Sequence, residues 1–308
     1  MNTIPIPPVF QTRPMAAALC MIGAMILLGF VDNFVATVAE EISIWQFLAV
    51  RAFMAIPLIW FMSIMGLGTM RPKRIWAVAI RSLLTATGLM LYFGSLAFMP
   101  IAQSLAGLFT SPIFVLLISA FVLKQTIGKW RVIAVATGFS GILLVLGVQD
   151  GAPGWIMMMP VAGGLIYATG SMATRILCSE ESTISMLAGI MIVQFIIGAL
   201  ALVGLTIWAP VVPGGANGFL LRGFVWPIET IFPYIAMQAV ISVAGVFLLI
   251  RAYQWGEASQ VSVLEYSIMI FGPFFAWLFM GQSITLMMMV GIGLIMIAGG
   301  IIAVRSNE

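Results

Sequence analysis

The sequence predicts an all-α integral membrane fold: about ten transmembrane helices, arranged as two inverted five-helix repeats with both termini in the cytoplasm. An apolar composition, a one-sided distribution of basic residues and a motif that returns later in the chain point to it together.

Of 308 residues, 62% are hydrophobic and 7% charged, with a mean hydropathy of +1.17. Soluble domains carry about 25% charged residues. A chain this apolar cannot cover itself with polar surface in water, so lipid is its solvent. At roughly 20 apolar residues per span, the length accommodates the helices, short loops and no soluble domain. The spans are expected at 15–38, 44–65, 75–98, 102–123, 130–148, 154–177, 184–208, 231–252, 258–280 and 285–304. They stop where charge, Pro or Gly interrupts the apolar run: at Glu40-Glu41, Arg71-Pro72-Lys73-Arg74, Met99-Pro100, Lys124-Gln125, Asp150-Gly151, Glu180-Glu181, Gly256-Glu257 and Gly281-Gln282. Only 209–230, rich in Gly and Pro, is a long connection; the other links read as tight hairpins. Ala17-Ala18-Leu19-Cys20 is similar to a lipoprotein cleavage site, but Leu19 stands where a small residue is wanted, so the first span is expected to stay uncleaved.

The basic residues set the orientation. With the N-terminus in the cytoplasm, the inner loops and helix ends hold Arg13, Arg71, Lys73, Arg74, Lys124, Lys129, Arg131, Arg175, Arg251 and Arg305, and the outer loops hold Arg222 alone. An even number of spans returns the C-terminus to the cytoplasm. The net charge of +3 is therefore a topology signal, and nucleic acid is not an expected partner.

The chain repeats itself. Glu40-Glu41-Ile42-Ser43 follows the first span and Glu180-Glu181-Ser182-Thr183 the sixth, an offset of 180 − 40 = 140. Lys124-Gln125 ends the fourth span and Gly281-Gln282 the ninth, an offset of 281 − 124 = 157. The difference of 17 is roughly the extra length of the 209–230 loop. The repeats are placed at 1–150 and 151–308, with 209–230 outside the cytoplasm. Five spans is an odd number, so the second copy enters the membrane from the opposite side, the recurrent build of secondary transporters.

Enzyme chemistry is not expected. Histidine is absent, which removes the commonest general base and metal ligand. No P-loop stands in the sequence, so a primary pump within this chain is excluded. No cofactor, metal or catalytic residue is assigned. Cys20 and Cys178 fall in apolar segments and read as buried thiols.

Several stretches resemble the drug/metabolite transporter superfamily, EamA type, over essentially the full length. Gly29-Phe30-Val31-Asp32-Asn33-Phe34-Val35 is similar to that family's Gly-Ser-Asn-Phe-Val stretch, and Arg51 stands where the family often has an Arg. Ala97 to Ser104 resembles its turn between the third and fourth spans, with Ala252 to Ser259 as the counterpart. The family closes its fourth and ninth helices with Gly-Glu; Lys124-Gln125 and Gly281-Gln282 stand here, so the charge is lost at that position. The resemblance implies alternating-access transport of a small metabolite, in most members by export across the bacterial inner membrane, with a central cavity lined by the first, third, fourth, sixth, eighth and ninth helices.

An ionisable side chain within a span costs about 2.5–3.5 kcal/mol. Asp32 and Arg51 lie at similar depth, roughly 10 Å below the outer surface at 1.5 Å per residue, so they can pair. Arg81 and Glu265 share a depth near the cytoplasmic side. Each pair reads either as charges that pin helix packing or, for the carboxylates, as cavity groups that bind a cation or carry a coupling proton. Asp32, Asn33, Tyr92, Gln103, Ser104, Tyr167, Ser171, Gln238, Glu265 and Tyr266 are the candidate substrate-binding residues, and Arg51 and Arg81 the ion-pair partners. Gln194, in the seventh helix, is read as structural. Gly163-Gly164, Gly299-Gly300, Gly138 and Gly141 are expected to permit close helix packing. The triplets Met157-Met158-Met159 and Met287-Met288-Met289 cannot form one ligand face. Pro112 and Pro273 should kink the fourth and ninth helices. The expected cargo is an amino-acid-like or other amphiphilic organic compound, and the protein a monomer or homodimer in the bilayer.

Overall fold

The computed structural model describes residues 14–121, 128–146, 154–178, 180–255 and 264–305. Arg13 and the expected breaks at Lys124-Gln125, Asp150-Gly151 and Gly256-Glu257 lie outside them. All regular structure among the described residues is helical: α1 (Pro14–Val31), α2 (Phe34–Glu41), α3 (Ile44–Ile64), α4 (Ile75–Ser95), α5 (Ile101–Leu108), α6 (Ser111–Phe121), α7 (Lys129–Leu146), α8 (Gly154–Leu177), α9 (Thr183–Trp208), a 3-10 turn (Gly215–Gly218), α10 (Phe232–Trp255), α11 (Ile268–Met280) and α12 (Leu286–Arg305). Six stretches are long and apolar enough to cross a membrane: 14–41, 44–64, 75–95, 154–174, 183–208 and 232–249. Shorter apolar helical stretches run over 101–115, 132–145, 268–280 and 286–301. Large side chains face outward along them, among them Phe53, Leu200 and Ile207 at 66%, 69% and 80% exposure, the reverse of a water-soluble surface. Met287 and Met289 are exposed while Met288 between them is buried, so the triplet shares no face.

Local chemistry sets the helix limits. The hydroxyl of Ser43 accepts from Gln46 N and that of Ser182 from Ile184 N, so α3 and α9 each begin on a serine N-cap. Gly281, at φ 63°, ends α11 in the left-handed conformation that glycine adopts without a steric penalty.

Three expected spans are interrupted. The first breaks at Asp32-Asn33, the fourth at Phe109-Thr110 and the ninth at Tyr266-Ser267. At each break a polar side chain bonds back to a carbonyl of the preceding turn. Asn33 Nδ2 donates to Gly29 O at 2.7 Å, Thr110 Oγ1 to Gly107 O at 2.6 Å and Ser267 Oγ to Leu264 O at 2.6 Å. Pro112 follows its break in the first turn of α6, where a missing N–H costs nothing. Pro273 lies inside α11, and the interruption of that span falls upstream, at Tyr266-Ser267.

The packing joins the two halves of the chain. α1 lies on α10 and α4 on α8; α3 lies on α9, and α7 on α12. α5 also touches α8, and α11 touches α1. Exchanging each first-half helix with its second-half counterpart maps this pattern onto itself. Two mixed groups result, α4–α5–α8 and α10–α11–α1. Glycine brings backbones together within these groups and where α7 crosses α12. A Cβ on Gly88 would stand 2.8 Å from Gly163 O, and one on Gly163 2.8 Å from Gly88 O, where α4 crosses α8. Gly141 and Gly291 do the same where α7 crosses α12, at 2.7 and 2.6 Å.

The repeated acidic pairs act at opposite ends of α3, roughly 30 Å apart at 1.5 Å per residue. At one end, Glu40 Oε2 accepts from Ala216 N at 3.1 Å, and Arg222 donates to the carbonyls of Ala39, Ile42 and Gly215. At the other, Glu181 accepts from Lys73 N at 2.9 Å and Arg74 N at 2.6 Å, beside an exposed Lys73–Glu180 ion pair of 3.8 Å. Each acidic pair thus holds the loop that leads into a helix of the other half.

Candidate functional site

The break after α1 places Asp32 and Asn33 inside the bundle, at 7% and 3% exposure. Asp32 Oδ2 accepts from the Tyr92 hydroxyl at 3.0 Å, and Oδ1 from Gln238 Nε2 at 3.1 Å. Gln238 Oε1 accepts from Arg51 Nη1 at 3.1 Å, and Arg51 Nη2 donates to Gln194 Oε1. The guanidinium lies 4.8 Å from the Phe93 ring centroid and 5.5 Å from that of Phe47. Four helices and the break after α1 therefore contribute to one polar chain, Tyr92–Asp32–Gln238–Arg51–Gln194, within an apolar interior.

Asp32 and Arg51, which share a depth and could pair, do not meet in a direct ion pair. Gln238 stands between them. A primary amide donates with one end and accepts with the other, so it satisfies a carboxylate and a guanidinium at once. Charges without such partners are expensive in a buried setting. Gln194 belongs to this chain, and depth counting from the helix ends had no means of finding it. Asn33 Nδ2 also donates to Gly272 O at 3.2 Å, tying the break to α11.

A second group lies nearer the Lys73 end. Arg81 Nε donates to Thr174 Oγ1 at 2.8 Å and Nη1 to Met186 O at 3.2 Å. The Tyr167 phenol is within electrostatic reach of both Arg81 and Glu265, so the expected shared depth brings these three residues together. Tyr266 follows Glu265, is buried, and packs against Phe109 with ring centroids 5.6 Å apart. Its ring also fills the space beside Gly299, which a Cβ would overlap.

The remaining candidates are Ser104, Gln103 and Ser171. Ser104 Oγ is bonded to Ser95 Oγ at 2.9 Å, which joins α4 to α5. Gln103 beside it is buried, whereas Ser171 on α8 is exposed. Among the described residues, no group of three or more His, Cys, Asp or Glu side chains could hold a metal ion. Buried amides, phenols and a relayed charge pair suit the binding and passage of a polar solute through an apolar bundle.

Residues 15–147 and 154–304 each match the model of the EamA-like transporter family. The chain is 25% identical over 225 residues to a riboflavin transporter of Rhizobium johnstonii, covering 72% of this chain and 68% of that protein. It is 24% identical over 203 residues to a riboflavin transporter of Vibrio cholerae, covering 66% of this chain and 62% of that one. A riboflavin transporter of Brucella anthropi is 21% identical over 213 residues, 69% of this chain and 71% of its own length. A solved crystal structure superposes with a TM-score of 0.63 at 16% identity, covering 96% of this chain and 99% of the other, which shows a shared fold.

Proposed function

We propose, on the premise that this chain belongs to the EamA-like transporter family and is a multi-pass inner-membrane protein, that it is a secondary carrier for riboflavin or a similar neutral, planar, hydroxyl-rich metabolite. It works by alternating access through ten spans in two inverted repeats, residues 1–150 and 151–308, with both termini in the cytoplasm. The Glu40 end then faces outward and the Lys73 end inward.

The observation that carries the carrier reading is the pair of interruptions at Phe109-Thr110 and Tyr266-Ser267. Their separation, 267 − 110 = 157, equals the offset between the ends of the fourth and ninth spans. Their first residues, Phe109 and Tyr266, touch. Interrupted helices at matching positions, meeting at the repeat interface, mark the site of secondary transporters. The relatives' shared name supports a flavin-like cargo. So does Asp32: with its carboxylate engaged by Tyr92 and Gln238, it is poorly placed to receive a cationic amine, which disfavours an amino acid.

In this reading the cargo path runs from Asp32, Asn33, Tyr92, Gln103, Ser104 and Gln238 in the outer half to Tyr167, Ser171, Glu265 and Tyr266 in the inner half. Glu265 carries the coupling proton, and Arg51 and Arg81 hold the carboxylate sides in place. Export is the direction the family resemblance implies. The experiment is counterflow of labelled riboflavin in proteoliposomes, with amino acids as competitors. Saturable exchange that riboflavin competes for and amino acids do not is expected. Exchange competed by amino acids alone would overturn the cargo, and a non-saturating flux would overturn the carrier. Uptake against efflux from loaded vesicles reads the direction.

A further inference from the structure

The helix pairs divide into contacts that cannot open without moving backbone and contacts that can. Within the α4–α5–α8 group, Gly88 and Gly163 bring backbones into direct contact. Within the α10–α11–α1 group, Asn33 Nδ2 bonds Gly272 O at 3.2 Å, and a Cβ on Gly29 would meet Gly272 N at 2.9 Å. Between the two groups, in the Glu40 half, the joining contacts are of another kind. Tyr92 on α4 reaches Asp32 after α1 by one hydroxyl at 3.0 Å. At the rim, Gln282 Oε1 accepts from Ile101 N at 3.3 Å. Leu105 packs into the space beside Gly272.

We propose that the Tyr92–Asp32 hydrogen bond is the outer gate of this carrier, broken when the α4–α5–α8 and α10–α11–α1 groups separate to open the Glu40 side. The gate rests on the alternating-access reading above. Both partners are buried, at 2% and 7% exposure, so water is excluded while the bond stands. Asp32 keeps Gln238 when Tyr92 leaves, and Gln238 and Asp32 belong to the same group. The carboxylate is therefore never stranded, which makes the bond reversible. The Glu40 and Glu181 contacts have the opposite character. Glu40 ties the end of α2 to the loop before α10, and Glu181 ties the end of α8 to the loop before α4. Each joins elements that move together, which is why both stand closed in one structure. They are fasteners and not gates.

The test places a single thiol, Leu105→Cys, in a Cys20→Ala/Cys178→Ala background. Its labelling from outside the cell by a membrane-impermeant maleimide is then measured. Leu105 is 1% exposed, so labelling in this parent is slow. Adding Tyr92→Phe, which keeps the ring and removes the hydroxyl, is expected to raise the rate about tenfold, the factor that one hydrogen bond to a charged group contributes. Asp32→Asn should act in the same direction, and the two together no more than either alone. Glu40→Gln should leave the rate unchanged. An unchanged rate in Tyr92→Phe, with a monodisperse elution profile, would overturn the gate; so would an equal rise in Glu40→Gln. The assay needs no cargo, so a wrong cargo and a wrong gate are told apart.

Discussion

Thr110 and Ser267 are 157 residues apart and do the same thing: each turns its hydroxyl back onto the carbonyl three residues earlier, at 2.6 Å in both cases. Each of these carbonyls also accepts the backbone N–H of the same residue, at 3.2 Å for Thr110 and 3.0 Å for Ser267, so the hydroxyl adds a second bond where the helix is interrupted. In hydrocarbon a freed backbone group has no water to turn to, and the two bonds together make the breaks tolerable. Thr110→Val and Ser267→Ala should each destabilise the protein by about 1 kcal/mol, the net value of a typical hydrogen bond. They should lower the counterflow rate more than they lower affinity. Because Phe109 and Tyr266 beside them are in contact, the double variant should depart from additivity. Thermal unfolding in detergent and initial exchange rates measure both effects.

The glycines divide by what surrounds them. Gly163 faces the Gly88 carbonyl, whereas nothing lies within 4 Å of a Cβ on Gly300. Gly163→Val should force α4 and α8 apart and cost about 1–3 kcal/mol from overpacking. Gly300→Ala should keep or slightly raise the melting temperature, since a helical Gly is about 1 kcal/mol less favourable than Ala. The two variants compared in one melting experiment separate packing from helix propensity. An equal gain in both would mean that helix propensity, and not the crossing of α4 on α8, decides.

How much of this was legible in sequence follows from the range of each signal. Hydropathy is local, and where the expected limits fall on described residues the apolar helices begin and end within a few residues of them; the limits at 123, 148 and 258 lie outside those residues. Gly281 ends its helix where the sequence break put it. The breaks at Asp32-Asn33 and Tyr266-Ser267 were not legible as breaks, because hydropathy stays high through a two-residue interruption. Pro273 lies inside α11, while the interruption of that span falls upstream of it. In the site, depth counting placed Asp32 near Arg51 and Arg81 near Glu265. It could not see that Gln238 from α10 stands between the first pair, because a rotation about a helix axis leaves depth unchanged. In sequence Gln194 reads as structural because it lies in the seventh helix, outside the six that the resemblance places around the cavity.

Gln238 makes the buried relay testable. Gln238→Leu removes the donor to Asp32 and the acceptor for Arg51 at once, leaving two buried charged groups each short of a partner. A loss of about 1–3 kcal/mol per unsatisfied group is expected. Gln238→Glu restores the acceptor for Arg51 but sets a second carboxylate beside Asp32. It should be worse than Gln238→Leu, because like charges at hydrogen-bond distance in a low dielectric repel strongly. Thermal unfolding orders the variants. If Gln238→Glu proves the more stable, Arg51 alone governs the network and Asp32 is already neutral there.

Glu265 is the remaining acid of the proposed path. It lies within electrostatic reach of Tyr167 and Tyr266, and the Tyr167 phenol is within reach of Arg81 as well. A glutamine keeps the shape and the hydrogen-bonding capacity of this side chain but cannot release a proton. Glu265→Gln should therefore fold with an unchanged melting temperature and still exchange cargo in counterflow, which needs no net proton movement. Accumulation driven by an imposed pH gradient should disappear. The separation matters because a variant that lost both activities would show only a damaged site. If gradient-driven accumulation persists and keeps its dependence on pH, the coupling proton travels elsewhere, and Asp32 becomes the next carboxylate to replace.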